Sequence, residues 1–279
     1  MNLNAYFKEQ KQGESILIYG AGGSRKTWLA ATLAKKYNLY WFDLENGVKT
    51  LRTLPKEDLE RIKYFRLPDL KQYPIAAETI GKIFNGGVCK ICSAHGKVNC
   101  TNEGCKAEGG SEEISLSKLT HNDVLVIDSA TQLGLSYLNS IILKLQGRGK
   151  PTEDYDAVQP EWNDYRYQGN LLTSFLTAIQ QLTNTNRVVI CHAEEYKEKG
   201  STQARVIPVM GTDNYSKSDL TKFFDHVVYT SIQNGKFKAV SGSLAASLGV
   251  ISAPAKSRSG VEIEKTPAGQ EYSLLPFFT

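Results

Sequence analysis

The chain has 279 residues, 41% hydrophobic content and a formal net charge of +4, enough to bury the core of one large α/β domain but too mildly basic to imply a nucleic-acid partner on charge alone. No stretch approaches the ~20 apolar residues of a membrane span, and Met1-Asn2-Leu3-Asn4 lacks a signal-peptide core, so a cytoplasmic protein with no membrane partner is expected. Four of the five cysteines, Cys89, Cys92, Cys100 and Cys105, lie close together, and in a cytosolic chain such a cluster reads as metal ligands rather than disulfides.

The first element is a buried strand over Ser15–Tyr19, running into Gly20-Ala21-Gly22-Gly23-Ser24-Arg25-Lys26-Thr27. The pattern G-x-x-x-x-G-K-[ST] works because small residues let backbone N–H groups curl around phosphates. Its Lys reaches the β- and γ-phosphates and its hydroxyl binds Mg²⁺. Gly20, Lys26 and Thr27 fit, Ala21, Gly22, Gly23 and Ser24 form the small-residue turn, and Trp28 completes the nucleotide-binding stretch. A helix over Lys26–Lys36 adds its N-terminal dipole.

The second glycine of the motif is replaced by Arg25. Glycine lets backbone approach a ligand closely, so three readings compete. The arginine turns to solvent or toward a phosphate, it weakens nucleotide binding, or it abolishes it.

A second strand, Leu39–Asp43, precedes Glu45, and a third, Val124–Asp128, is a continuous apolar run suited to a central parallel strand. Helices are expected at Glu57–Ile62, Ile75–Phe84 and Thr131–Leu145, and along Leu172, Phe175, Leu176, Ile179 and Leu182. Further strands are Arg187–His192, His226–Ile232 and Lys236–Val240, the last two joined by Asn234-Gly235.

Asp43, Glu45 and Asp128 fall outside the carboxyl ends of strands, where open parallel sheets bind ligands. Asp128 suits an aspartate that holds Mg²⁺ through water, and Glu45 one that orients or deprotonates an attacking water. Each could instead be an ordinary strand-end acid or helix cap.

Residues 85–113 form a cysteine- and glycine-rich insertion. Cys89-x₂-Cys92 and Cys100-x₄-Cys105 supply four thiolates on two short turns, which suits tetrahedral Zn²⁺ holding a segment with little apolar content of its own. His95 between them is a less favoured substitute. The whole chain, 1–279, is thus expected to be one domain carrying an inserted zinc finger.

Two segments suit single-stranded nucleic acid, by backbone neutralisation and base stacking. One is Lys144-Leu145-Gln146-Gly147-Arg148-Gly149-Lys150 followed by Tyr155, Trp162, Tyr165, Arg166 and Tyr167. The other holds Lys197, Lys199 and Arg205 before Val206-Ile207-Pro208, then Tyr215 and Lys217. The aromatics could equally pack under a loop or in a subunit contact.

Phe42-Asp43-Leu44-Glu45-Asn46 and Val126-Ile127-Asp128-Ser129-Ala130 resemble the second-strand glutamate motif and the Walker B motif of RecA-type recombinases, in particular the RecA/RadA-like ATPases of bacteriophages, which act as single-strand-annealing recombination proteins. The likeness runs from Ser15 to Lys265, although only the three short motifs are specific. It implies a RecA-type P-loop core with a mostly parallel central sheet flanked by helices. It also implies ATP hydrolysis at the interface of a homo-oligomer, ring or filament, with single-stranded DNA and other recombination proteins as partners.

Position by position, Lys26 and Thr27 would be the phosphate and Mg²⁺ residues, Glu45 the catalytic base and Asp128 the Mg²⁺-linked aspartate. His192, ending a strand like the one that senses the γ-phosphate, would be the sensor. Lys256 or Arg258, in Lys256-Ser257-Arg258-Ser259-Gly260, would reach a neighbouring subunit's nucleotide. The departure at Arg25 leaves a second reading open, a hydrolysis-deficient DNA-binding scaffold.

Overall fold

The computed structural model describes residues 12–70, 73–101, 110–146, 160–202, 204–218, 220–241, 246–248, 251–257, 263–265 and 272–278. Its central strands, in chain order, are β1 (Ser15–Gly20), β2 (Asn38–Asp43), β3 (Ile62–Arg66), β6 (Asp123–Asp128), β7 (Asn186–Lys197), β9 (His226–Gln233) and β10 (Lys236–Val240). The hairpin strands β4 (Cys89–Cys92) and β5 (Ser111–Ile114) form a separate small sheet.

Along the central strands apolar side chains divide between two layers, as a period of two requires. Leu17, Tyr19, Phe42, Leu125 and Ile127 enter one layer. Their sequence neighbours Ile16, Ile18, Trp41, Val124 and Val126 enter the other. A sheet apolar on both faces must be covered on both, which gives the α/β arrangement.

One face is covered by α1 (Lys26–Ala31), which tightens into a 3₁₀ turn over Thr32–Lys35, and by the C-terminal Phe277 and Phe278. After the single-turn α2 (Lys56–Leu59), the other face is covered by α3 (Ile75–Phe84), α4 (Ala130–Gln146) and α5 (Trp162–Gln181). These contribute Ile80, Ile83, Leu133, Leu172, Phe175 and Ile179. Among the described residues no helix is long and apolar enough to cross a membrane.

The sheet order is β10-β9-β1-β7-β6-β2-β3. Along this path every pair from β9 to β3 is parallel, and β10 joins antiparallel, through the turn at Asn234-Gly235, both at positive φ. Consequently β1, β7, β6 and β2 all end on the same edge. In register, Gly20 lies opposite His192, Asp128 opposite Ile190, and Asp43 opposite Asp128.

Two expectations are corrected, and one segment left unassigned is placed. Ile62 does not close a helix from Glu57; the helix stops at Leu59 and Ile62 opens β3 parallel to β2. Leu59 and Ile62 satisfy helical spacing, but Ile62-Lys63-Tyr64-Phe65 also alternates, and pairing with β2 decides it. Of the second loop, Lys197 and Arg205 lie on strands: β7 runs on past His192 to Lys197 and pairs antiparallel with β8 (Ala204–Val209), while Lys199 lies in the connection between them. The aromatics from Trp162 to Tyr167 lie on α5, whose start is fixed by a capping box between Glu161 and Asp164.

Candidate functional site

The loop after β1 is shaped by two glycines for different reasons. A Cβ on Gly20 would meet the Thr230 carbonyl oxygen at 2.3 Å, so β9 can lie against the loop only there. Gly23 has φ of 74°, a left-handed value that costs glycine nothing. Ser24 Oγ and Thr230 Oγ1, 2.8 Å apart, tie the loop to β9.

Arg25 also sits in the left-handed region, with φ 60° and ψ 24°, which explains why the motif ordinarily has glycine at this position. Its side chain is turned outward, and the guanidinium lies 6.0 Å from the centroid of the Phe237 ring on β10. Its carbonyl accepts the Leu29 N–H at 2.9 Å, as the first bond of α1.

Lys26 is buried, and its ammonium donates to the carbonyls of Gly20 and Ala21, both at 2.8 Å. Burial lowers its pKa from the ordinary lysine value, against the charges of Asp128 and Glu45. Thr27 Oγ1 donates to Asp128 Oδ2 at 2.9 Å. Asp128 is buried, and that burial, with Glu45 and Asp43 nearby and the Thr27 hydroxyl opposing, pushes its carboxyl up to about 7. Trp28 packs on the apolar layer under α1.

Glu45 stands on the turn after β2. Its carboxylate accepts from His192 Nε2, at 3.0 and 3.1 Å to its two oxygens, and from the Ser129 hydroxyl. Burial raises its pKa, but the bonds from His192 and Ser129 and the charges of His192 and Lys26 outweigh this and hold it below the usual carboxylate range. His192 therefore faces Glu45 directly. Its backbone N–H donates to Thr131 Oγ1 at 2.9 Å, anchoring it to α4.

Two further residues position this site, Asp43, expected as a strand-end acid, and Ser129, to which no site role was given. Asp43 accepts the backbone N–H groups of Glu45, Gly47 and Val48 and the Tyr64 hydroxyl, and so folds the turn that presents Glu45. Ser129 bonds Glu45 and also accepts the Gln132 N–H. The sequence signal for the first is an acid followed by Leu44-Glu45-Asn46-Gly47, where Asn46 takes φ of 59°. Ser129 carries no such signal beyond following Asp128.

The Lys256 ammonium donates to the carbonyls of Phe224, at 2.7 Å, and Thr221, at 3.3 Å. Both bonds hold it against the 3₁₀ turn Leu220–Phe223 and the residue that follows it. Arg258 lies outside the described residues, as do Cys105, Lys106, Gly147, Arg148, Gly149, Lys150 and Tyr155.

In the insertion, the group of donors within 4.8 Å of one another is Cys92, His95 and Cys100. Cys89, expected among the ligands, is not in that group. It packs in the apolar layer beside Ile91 and Ile114, with burial raising its thiol pKa. The spacing Cys89-x₂-Cys92 suggested a shared ligand turn, but both residues lie on strand β4, three positions apart and so on opposite faces of it.

The structure brings the two aromatic segments together. Trp162, Tyr165 and Arg166 on α5 and Tyr215 and Lys217 at the short helix α6 (Asp213–Ser216) line one cleft of about 830 Å³. Trp162 is 76% exposed at its rim. A Cβ on Gly169 would meet Tyr215 Cδ2 at 3.3 Å, so this glycine lets the ring close on α5. Thr173 Oγ1 and Tyr215 OH are 3.1 Å apart. Lys217 lies 4.5 Å from the centroid of the Tyr196 ring on β7.

A protein-family profile described as "AAA domain" matches residues 12–259. Among solved structures, the chain is similar to a crystal structure of the RadB recombinase, with 16% identity, a TM-score of 0.40, and coverage of 82% of this chain and 80% of that one. None of the curated proteins compared matches it.

Proposed function

The chain belongs to the AAA-domain family, and on that premise we propose that it binds ATP with Mg²⁺, hydrolyses it, and couples this to single-stranded DNA as a recombination ATPase of the bacteriophage annealing kind. The observation that carries the reading is the convergence of Lys26, Thr27, Asp128 and Glu45 on one edge of a parallel sheet. The rim cleft with its aromatic and basic side chains supports the DNA half.

The residues present fit the groups they would hold. The loop after β1 is open over Gly22 and Gly23, where an added Cβ would meet nothing within 4 Å, and Thr27 and Asp128 offer the hard oxygen donors that Mg²⁺ prefers. That ion, when bound, supplies charge neutralisation on the β- and γ-phosphates. Lys26 would leave the Gly20 and Ala21 carbonyls for those phosphates, exchanging two neutral acceptors for charged ones. Glu45, held ionised by His192 and Ser129, would orient the attacking water and take its proton. Arg25, turned toward Phe237, leaves the cradle to the backbone.

We further read the nucleotide as lying between subunits of a homo-oligomer, with Arg258 as the residue supplied in trans, and the insertion at 85–113 as held by zinc. Radiolabelled ATP turnover, with and without single-stranded DNA, tests the central claim. Hydrolysis stimulated by DNA and lost in Glu45→Gln is expected. ATP binding without turnover in the wild-type chain would make the protein a nucleotide-regulated DNA scaffold. DNA binding indifferent to salt would remove the DNA half.

A further inference from the structure

The cysteine-rich insertion contains a donor set that differs from the four thiolates its sequence suggests. Cys92 and Cys100 each bring a sulfur, and His95 a ring nitrogen, within 4.8 Å of one another. His95 Nδ1 lies 3.8 Å from Cys92 Sγ. Metal–sulfur bonds near 2.3 Å and metal–nitrogen bonds near 2.0 Å, meeting at the tetrahedral angle, put neighbouring donors about 3.6 Å apart, so this pair already has the separation of two ligands on one ion. Mixed thiolate and imidazole donors select a borderline-soft divalent cation, Zn²⁺ above all.

The turn that carries these donors is built into the body of the protein. Gly96, next to His95, has φ of 70°, and a Cβ there would meet the Arg66 carbonyl oxygen at 2.3 Å. Thr79 Oγ1 of α3 donates to the Gly96 carbonyl at 2.8 Å. Gly96 N–H in turn donates to the Cys92 carbonyl at 2.8 Å, closing the bend between the two donors. Lys97 lies 3.8 Å from the centroid of the Tyr73 ring. Arg66, against which the bend sits, also lines the recess beside Glu45, together with Asp69 and Gln132.

We propose that the insertion binds Zn²⁺ through Cys92, His95 and Cys100, that Cys89 is a core residue and not a ligand, and that the metal pins this bend against the end of β3. The proposal rests on the reading of the insertion as zinc-held and specifies its ligands.

Zinc K-edge absorption on the full-length wild-type protein tests it without altering any residue. Nitrogen at about 2.0 Å among sulfurs at about 2.3 Å is expected; four sulfurs and no nitrogen overturn the ligand set. Metal content gives the second measurement. Cys89→Ala is expected to retain about one zinc per chain, while His95→Ala and Cys92→Ser lose it to a competing chelator at least tenfold more readily. His95→Cys, which restores a donor, is expected to retain it and to strengthen the thiolate charge-transfer band with Co²⁺. Zinc lost from Cys89→Ala but kept by His95→Ala would return the site to four thiolates. A wild-type protein that takes up neither zinc nor Co²⁺ would remove the zinc-held reading itself.

Discussion

His192 Nε2 lies 3.0 Å from Glu45 Oε1, joining the middle of β7 to the turn after β2 across the Asp128 strand between them. Under the proposed function this pair would keep the base ionised and directed at once, which has a pH signature. Glu45 is held below its ordinary pKa, with burial opposing and the bonds from His192 and Ser129 prevailing. A base works only when ionised, so a depressed pKa extends hydrolysis toward lower pH. In His192→Ala the acid limb of the kcat profile is expected to move upward, with ATP affinity nearly unchanged. A profile that does not move would show that His192 does not act on Glu45.

Replacing the carboxylate itself is more severe. Glu45→Gln keeps the shape and loses the base, and the expected loss in kcat is about 10²–10⁴-fold. Nucleotide affinity, measured by calorimetry, should remain within a few-fold of wild type, because Lys26 and Thr27 are untouched.

Arg25→Gly tests the bulky residue in the phosphate loop. The left-handed conformation costs an ordinary residue roughly 1–2 kcal/mol, and glycine relieves it. Glycine also loses more chain entropy on folding, and the Phe237 contact, worth about 0.5–1 kcal/mol, disappears. The net change in stability is expected to be within about 1 kcal/mol by denaturant unfolding, with ATP affinity changed less than about threefold. A much larger gain in affinity would mean that the arginine obstructs the cradle.

Asp128 is expected to destabilise the ligand-free protein as it ionises. Its folded pKa is raised from 3.8 to about 7. Stability relative to Asp128→Asn should therefore be highest below about pH 4 and fall as pH rises through about 7, by a few kcal/mol at most. Asp128→Asn should raise the melting temperature at pH 8 while losing Mg²⁺-dependent nucleotide binding. An unchanged melting temperature across that range would contradict the buried-carboxyl account.

The phosphate loop, the two acidic strand ends and the boundaries of Ile75–Phe84 were legible in the sequence because each is fixed by local chemistry. Small residues must precede Lys26, and an unbroken apolar run must precede Asp128. The clasp between Glu45 and His192 was not legible, because it depends on sheet order, and parallel crossovers do not reveal order. Strands β3 and β8 were hidden for opposite reasons. The first fits a helical period as well, and the second contains Pro208, which lacks an N–H and argues against a strand. Cysteine spacing alone could not separate Cys89, which the core absorbs, from His95.

Trp162→Ala should weaken single-stranded DNA binding by about 1–3 kcal/mol, the worth of one stacked base. ATP affinity in the absence of DNA should not change, since Trp162 lines the rim cleft and not the phosphate loop. Titration with labelled oligonucleotide at two salt concentrations separates stacking from charge, because loss of the ring should leave the salt slope intact.

The strand that brings His192 to Glu45 does not stop there. From His192, β7 continues as a ladder with β8 as far as Lys197, and β8 returns to Val209, whose carbonyl holds Thr131 at 2.7 Å. Met210, Gly211 and Thr212 then lead directly into the segment bearing Tyr215 and Lys217. A doubly bonded ribbon bends less readily than a loop. The β7–β8 ladder therefore holds His192, beside Glu45, and the segment bearing Tyr215 and Lys217 at a fixed spacing, tying the carboxylate edge of the sheet to the aromatic cleft through one stiff strut.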